Sequence, residues 1–365
     1  MAKKIRLLCT AAALVPLTLL AAACSSSSST TPSSTSAPAA NASGKSISET
    51  GSTLLFPLFG TWQTAYSTAN PSVTITSGAT GSGTGIADAS EGLVNIGASD
   101  AFLSAADLMK YPGLLNIPLA VASVQVYYNL PGVKSLNLNG TVLAQIYTGK
   151  ITTWNDPAIA ALNPGVTLPA TKIVTLHRAD SSGSTFLFTS YLSAQDPSAW
   201  PSTNVGTTIT WPSVPGALAE TGSGGMVTGC GGTKGCIAYI GVSYQAKATA
   251  AGLASAALAN KAGSYVQDTV PSVSAALASF PSAPSSGAEA LINTSAATGY
   301  PIINYEYAIV KKTQPSAAEA KVVKAFLSWI LTTGDSTKNL TTVGFVALPS
   351  STLSTAQSLV GSISS

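Results

Sequence analysis

The sequence predicts an α/β protein of two lobes, with strands alternating with helices in mixed, mainly parallel sheets. Three observations predict it. Strand-like apolar runs alternate with amphipathic helical runs between residues 72 and 334. The folding region, residues 45–365, is longer than one small core supports, and chains of this length divide. Two extended segments, residues 123–129 and 299–304, bracket a continuous middle stretch with its own strands and helices. Lobe I is therefore expected from residues 45–125 and 302–365, and lobe II from residues 126–301.

The chain opens on an export signal, residues 1–23. Lys3, Lys4 and Arg6 form a positive start, residues 7–20 are mostly apolar, and Ala21-Ala22-Ala23 offer a small-residue cleavage region. The apolar stretch is too short and too Ala-rich for a permanent transmembrane helix. Cys24 follows at once, which resembles the lipid-attachment site of bacterial lipoproteins. That resemblance implies an exported protein anchored by Cys24 to the outer face of the bacterial cell membrane. Ordinary secretion with an unmodified Cys24 is the other outcome. Residues 24–44 are almost entirely Ser, Thr, Ala and Pro, which have nothing to bury, so they form a tether.

The elements then follow in order. A helix is expected at residues 56–69. Strands are expected at 72–77 (SVTITS), 94–99 (VNIGAS) and 115–130 (LNIPLAVASVQVYYNL). A short helix at 141–148 precedes a strand at 172–176 (KIVTL) and an amphipathic helix at 184–193 (STFLFTSYLS). Strands at 236–242 (CIAYIGV) and 302–310 (IINYEYAIV) follow, and a helix from 317 to 332 stops at Gly334.

Charge excludes one large class of partner. The 17 Lys and Arg exceed the 14 Asp and Glu by three, and Lys3, Lys4 and Arg6 leave with the signal. A neutral mature chain lacks the basic excess of a nucleic-acid binder. Cys230 and Cys236 are expected to form a local disulfide, as exported proteins allow. A metal site is the weaker alternative, since there is no second Cys pair and the single His is distant.

One local device repeats. Gly51-Ser52-Thr53-Leu54, Gly81-Ser82-Gly83-Thr84-Gly85 and Asp180-Ser181-Ser182-Gly183-Ser184-Thr185 each precede an expected helix. The first N–H groups of a helix have no partner within it and carry the positive end of its dipole. Gly admits a ligand to the backbone and Ser or Thr adds a hydroxyl, so such turns suit anions. One turn alone is adequately explained by capping. Arg178 is the sole Arg after the signal and sits at a strand end, with Asp180 two residues on. Its planar fork suits an oxyanion, with a structural Arg–Asp pair as the alternative. Asp100 also ends a strand. A carboxylate there suits an anion that carries its own hydrogen, as phosphate does near neutral pH and sulfate does not. The alternative is that Asp100 caps a helix starting near Phe102.

These stretches together, with Glu49-Thr50-Gly51-Ser52-Thr53-Leu54, Asn95-Ile96-Gly97-Ala98-Ser99-Asp100, His177-Arg178-Ala179-Asp180-Ser181-Ser182-Gly183-Ser184 and Gly299-Tyr300-Pro301-Ile302-Ile303-Asn304, resemble the PstS phosphate-binding lipoproteins. The resemblance covers residues 45–365 in the family's order. It implies a type II periplasmic binding protein fold with phosphate buried between the lobes and passed to an ABC permease. By that resemblance Thr53 donates its hydroxyl, the Leu54 N–H lies beside it, Ser82 donates, and Asp100 accepts the phosphate hydrogen. Arg178 donates twice, steadied by Asp180, and Ser182, Gly183 and Ser184 complete the cage. Leu54 stands where other members carry Phe, and Ser184 where others carry Thr.

Inorganic phosphate and a membrane permease are thus the expected partners, with no cofactor, no metal and a monomeric chain. A hydrolase would need a base, and His177 is the only His; neither a G-x-S-x-G elbow nor a phosphate-loop motif is present. No enzymatic activity is expected. Another oxyanion on the same fold is the remaining alternative.

Overall fold

The computed structural model describes residues 46–281 and 283–365; the expected signal, Cys24 and the tether lie outside the described residues. The strands that position the site are β1 (Ser46–Gly51), β2 (Thr74–Thr76), β3 (Ile96–Ser99), β4 (Leu114–Tyr128), β5 (Val174–Arg178), β6 (Leu218–Glu220), β7 (Cys236–Gly241) and β8 (Ile303–Lys311). The helices that matter are α1 (Phe56–Ala69), α2 (Ser82–Glu91), α3 (Gly183–Gln195), α4 (Gly222–Gly231) and α5 (Ala317–Trp329). The main sheet runs β2-β1-β3-β8-β4-β7-β5-β6, with a short strand, Ala254–Ser255, also paired to β4.

Pairing is mixed. The flanks are parallel, with β1 between β2 and β3 at one end and β5 between β6 and β7 at the other. The centre is antiparallel, through β3–β8, β8–β4 and β4–β7. The expected weighting toward parallel pairs thus holds on each flank but not where the flanks join. Each flank is made of strand–helix–strand units, whose crossovers favour parallel neighbours. The joining strands are long single runs. β4 serves both flanks: Leu114 to Ser123 pair with β8, and Val124 to Tyr128 pair with β7. Helices cover such a strand on both sides, which is why its sequence reads as a continuous apolar run rather than an alternating one. Pro118 lies within it and has no N–H to give the ladder. The register to β8 shifts there, between Glu306 and Tyr307.

Most expected elements lie within two residues of their predicted bounds. The 172–176 strand begins later, at Val174, and continues through His177 and Arg178 because β6, which the pattern did not predict, pairs with Leu176, His177 and Arg178. The second Gly/Ser turn does not stand ahead of its helix. Gly81 is the N-cap, and Ser82 to Gly85 are the helix's own first turn. The last predicted helix continues past Trp329 as a π-helical turn, Ile330–Gly334. Gly334 ends it against two rings, where a Cβ would lie 2.9 Å from Trp329 and 3.1 Å from Trp62. Trp62 donates its ring N–H to the Gly334 carbonyl at 3.1 Å.

Aromatic clusters fix the helices to each flank. Phe59 and Tyr66 of α1 meet Phe326 and Trp329 of α5 edge to face, and Trp62 packs edge-on against Phe59. On the other flank Phe188, Trp211 and Tyr239 stack nearly parallel, and His177 lies on Trp211 with centroids 4.8 Å apart. Burial lowers the His177 pKa, keeping the ring neutral as a packing group. The disulfide Cys230–Cys236 ties the end of α4 to the start of β7.

Candidate anion-binding site

The three Gly/Ser/Thr turns converge. At the end of β1, Gly51 has φ 139°, and a Cβ there would lie 2.1 Å from the Ala98 carbonyl oxygen, so only glycine fits. The chain then turns sharply: Ser52 N–H donates to Ala98 O at 2.9 Å, and Ser52 Oγ accepts from Leu55 N–H at 2.9 Å. Thr53 and Leu54 sit on this turn, and both are buried. Gly81 N–H donates to Gly51 O at 2.7 Å, docking the start of α2 on the first turn. From the opposite flank, Ser182 caps α3, with Oγ accepting from Thr185 N–H at 3.4 Å. Gly83 N–H reaches across to Ser181 O at 3.2 Å.

Asp100 is the centre on which these turns meet. It is 2% exposed. Ser184 Oγ donates to its Oδ2 at 2.8 Å, Ser52 Oγ donates to Oδ1, and Ser82 Oγ accepts from the Asp100 N–H at 3.2 Å. Asn304 Nδ2 holds the Asp100 carbonyl at 2.5 Å. The expected alternative of a helix cap does not apply, since the next helix, Ala105–Lys110, is capped by Ser104. Gly183 packs directly on Asp100; a Cβ there would lie 2.5 Å from the Asp100 Cβ.

Arg178 faces this group from the end of β5. Its Nε donates to Asp180 Oδ1 at 2.6 Å and Nη2 donates to Asp180 Oδ2, while Nη1 donates to Thr53 Oγ1 at 3.2 Å. The second hydrogens of Nη1 and Nη2 remain for an anion. Burial pushes the Asp180 carboxyl up, but the Arg178 fork and the Gly222 N–H outweigh it and hold Asp180 below the usual carboxylate range. Asp180 therefore stays ionised and fixes the guanidinium plane. Among the described residues no acceptor is present for the N–H groups of Leu54, Gly183 and Ser184, the last two being the unpartnered start of a helix.

All eight predicted binding residues and Asp180 thus lie in one buried cluster. Five further residues were not singled out from sequence. Ser52 is a donor to Asp100. Ser223, at the start of α4, gives its N–H to Thr53 Oγ1 at 3.2 Å and pairs with the same hydroxyl at 2.8 Å. Its segment, Thr221-Gly222-Ser223-Gly224-Gly225, is a fourth Gly/Ser run at a helix start, so the signal was present. Tyr239 OH accepts from the Arg178 N–H at 2.9 Å and pairs with Thr185 Oγ1 at 2.7 Å, fixing β5 against α3. Asn304 and Glu306 project from β8 toward Asp100. Beside the cluster opens a cleft lined by Gly83, Ala101, Phe102, Ser181 and Phe186.

A fold of two α/β lobes sharing long antiparallel strands, with helix starts and hydroxyls from both lobes closing on one buried Arg–carboxylate cluster, defines a two-lobed binding protein. A family model described as a PBP superfamily domain matches residues 32–333. The phosphate-binding protein PstS of Xylella fastidiosa (strain Temecula1) is 32% identical over 319 residues, 86% of this chain and 85% of that protein. PstS of Methanocaldococcus jannaschii is 33% identical over 315 residues, 79% and 78% of the two chains. Among solved structures, a high-affinity periplasmic phosphate-binding protein (PfluDING) bound with phosphate aligns with a TM-score of 0.71 at 24% identity, covering 86% of this chain and 93% of the other. The chain belongs to the PBP superfamily and, within it, to the PstS phosphate-binding proteins.

Proposed function

We propose that this chain captures inorganic phosphate outside the cytoplasm and delivers it to an ABC permease, without chemistry of its own. One observation carries the proposal: a buried acceptor, Asp100, and a fixed cation with N–H groups to spare, Arg178, occupy one cluster. Phosphate near neutral pH answers both, since it carries unprotonated oxygens for Arg178 and a hydrogen for Asp100. Sulfate would set an oxygen against the carboxylate, at a cost of several kcal/mol in order of magnitude. Thr53, Ser82 and Ser182 supply hydroxyl donors, and Leu54, Gly183 and Ser184 supply N–H groups.

Capture is by closure. Residues 45–125 with 302–365 form one lobe, residues 126–301 the other, and they hinge where β4 and the segment before β8 pass between them. Lipid on Cys24 and the residue 24–44 tether would keep this monomer at the outer face of the membrane.

The test is calorimetry with phosphate and sulfate on the exported chain carrying Cys24→Ser, unfolded and refolded first to remove carried ligand. Micromolar or tighter phosphate binding, about −8 kcal/mol, with no sulfate response is expected. A folded chain that binds neither anion would overturn the proposal. Metabolic labelling with palmitate, lost in Cys24→Ser, tests the anchor.

A further inference from the structure

Glu306 is a buried acid that the phosphate cage does not use. It sits on β8 at 0% exposure, among apolar and aromatic neighbours. Neither of its carboxyl oxygens accepts a hydrogen bond from an N–H or O–H of the described residues. The β8–β3 register, which pairs Tyr307 with Ser99 and Ala308 with Ala98, sets Glu306 opposite Asp100. Two residues earlier on the same strand, and so on the same face, Asn304 holds the Asp100 backbone carbonyl. β8 thus meets Asp100 with a hydrogen bond to its carbonyl from Asn304 and sets a buried carboxyl opposite it.

Two carboxyls enclosed together cannot both be ionised, so one proton is shared. With both charged, acceptor would face acceptor; one proton turns the contact into a short charge-assisted hydrogen bond. The side that keeps it is set by the donors. Ser52 and Ser184 hydroxyls point at Asp100 and stabilise its anion. Glu306 has burial and the Asp100 charge against its ionisation, which push its carboxyl well above the usual range.

We propose that Glu306 is a specificity-determining positioning residue: a neutral acid that donates its O–H to Asp100 and so keeps Asp100 an ionised, correctly turned acceptor for the ligand's hydrogen. This rests on the phosphate assignment above. It makes the cage sensitive to the proton count of the pair, not of Asp100 alone. A second proton would make Asp100 a donor and admit sulfate. Loss of the shared proton would place two charges beside the anion and expel phosphate. The titratable groups that face Glu306 are Asp100 and, on its own strand, Tyr307.

The test compares the wild type with Glu306→Gln and Glu306→Leu in the full exported chain. Gln still donates to Asp100 but cannot ionise. Its phosphate affinity should stay within about threefold of wild type, with phosphate-over-sulfate preference kept, whereas Leu should lose about tenfold or more in both. As pH rises, phosphate affinity of the wild type should fall ahead of that of Glu306→Gln, phosphate's own ionisation being common to both. Infrared spectra should contain a protonated-acid carbonyl band in the wild type that Glu306→Gln removes, a readout that needs neither ligand nor the Leu variant to fold. Equal losses in Gln and Leu, or an unchanged band, would overturn the proposal. A wild type that binds no phosphate yet loses the band in Glu306→Gln would refute the phosphate assignment and leave the shared proton standing.

Discussion

Asp100 does work that no neutral side chain can copy. It accepts hydroxyls from Ser52 and Ser184 and, in the function proposed above, also the ligand's hydrogen. Asn at this position would keep one acceptor, gain an N–H donor and lose the charge. Asp100→Asn should therefore bind sulfate, and the phosphate-over-sulfate preference should fall by about hundredfold. Competition calorimetry measures this directly, and an unchanged preference would mean that selectivity resides elsewhere. Asp100 and Arg178 were legible because each is a charged residue at the end of an apolar strand, and Arg178 is the sole Arg after Arg6. Glu306 was not, because in IINYEYAIV it sits inside a strand, where a carboxylate has no partner in its own segment. Its meaning comes from Asp100, 206 residues away, through the β8–β3 pairing that brings Tyr307 opposite Ser99. Ser223 lies in a legible Gly/Ser run, but its pairing with Thr53, 170 residues distant, is not written in its own segment.

At the scale of elements, helix starts carry the site, and their glycines are there for closeness. Gly183 opens α3 against Asp100, with no room for a methyl. Alanine is the better helix former by about 1 kcal/mol, which offsets only part of the roughly 1–3 kcal/mol of overpacking against Asp100, so Gly183→Ala should lower the stability of the unliganded protein modestly. Binding should weaken by about hundredfold, because the added Cβ holds α3 off β3. Thermal scans with and without phosphate separate these effects; a loss of stability large enough to unfold the unliganded protein would argue for simple misfolding. The Cys230–Cys236 bond acts on α4 in the opposite sense. It closes a short loop at the far end of the helix from Gly222 and Ser223. Replacing both cysteines by Ser should cost about 2 kcal/mol through the unfolded chain and lower the melting midpoint by several degrees, while phosphate affinity changes little. A large loss of affinity would show that the bond orients the start of α4. Helices α1 and α3 were legible from their apolar spacing, but α4 was not. Its sequence, GSGGMVTGCG, is poor in helix formers, and packing against β7 holds it instead.

Across the whole molecule, buried carboxyls set how stability should follow pH. Burial pushes Asp335 up to about 8 and Asp268 up to about 6, the latter against hydrogen bonds from Ser123 and Gln125. Glu49 and Glu306 are raised well above the ordinary range, chiefly by burial. In the unfolded chain such groups release their protons at about 3.9 to 4.3. Between that value and its folded value, each group holds a proton in the fold that the unfolded chain has given up. Stability is then fully present below about pH 4 and is lost as pH rises through the folded values. Asp180 has the opposite sign. Arg178 and Gly222 overcome its burial and lower its folded value, so its contribution is present above about pH 4 and is lost as pH falls through that lowered value. The unliganded protein should accordingly be most stable in mildly acidic solution and weaken toward about pH 8. Asp335 offers the cleanest test, since its Oδ1 is buried without a partner and it lies outside the anion cluster. Asp335→Asn should flatten the decline between about pH 4 and 8 while leaving the midpoint near pH 4 almost unchanged. Calorimetric scans across that range decide it; a variant that declines as steeply as the wild type would show that Asp335 is already ionised in the fold.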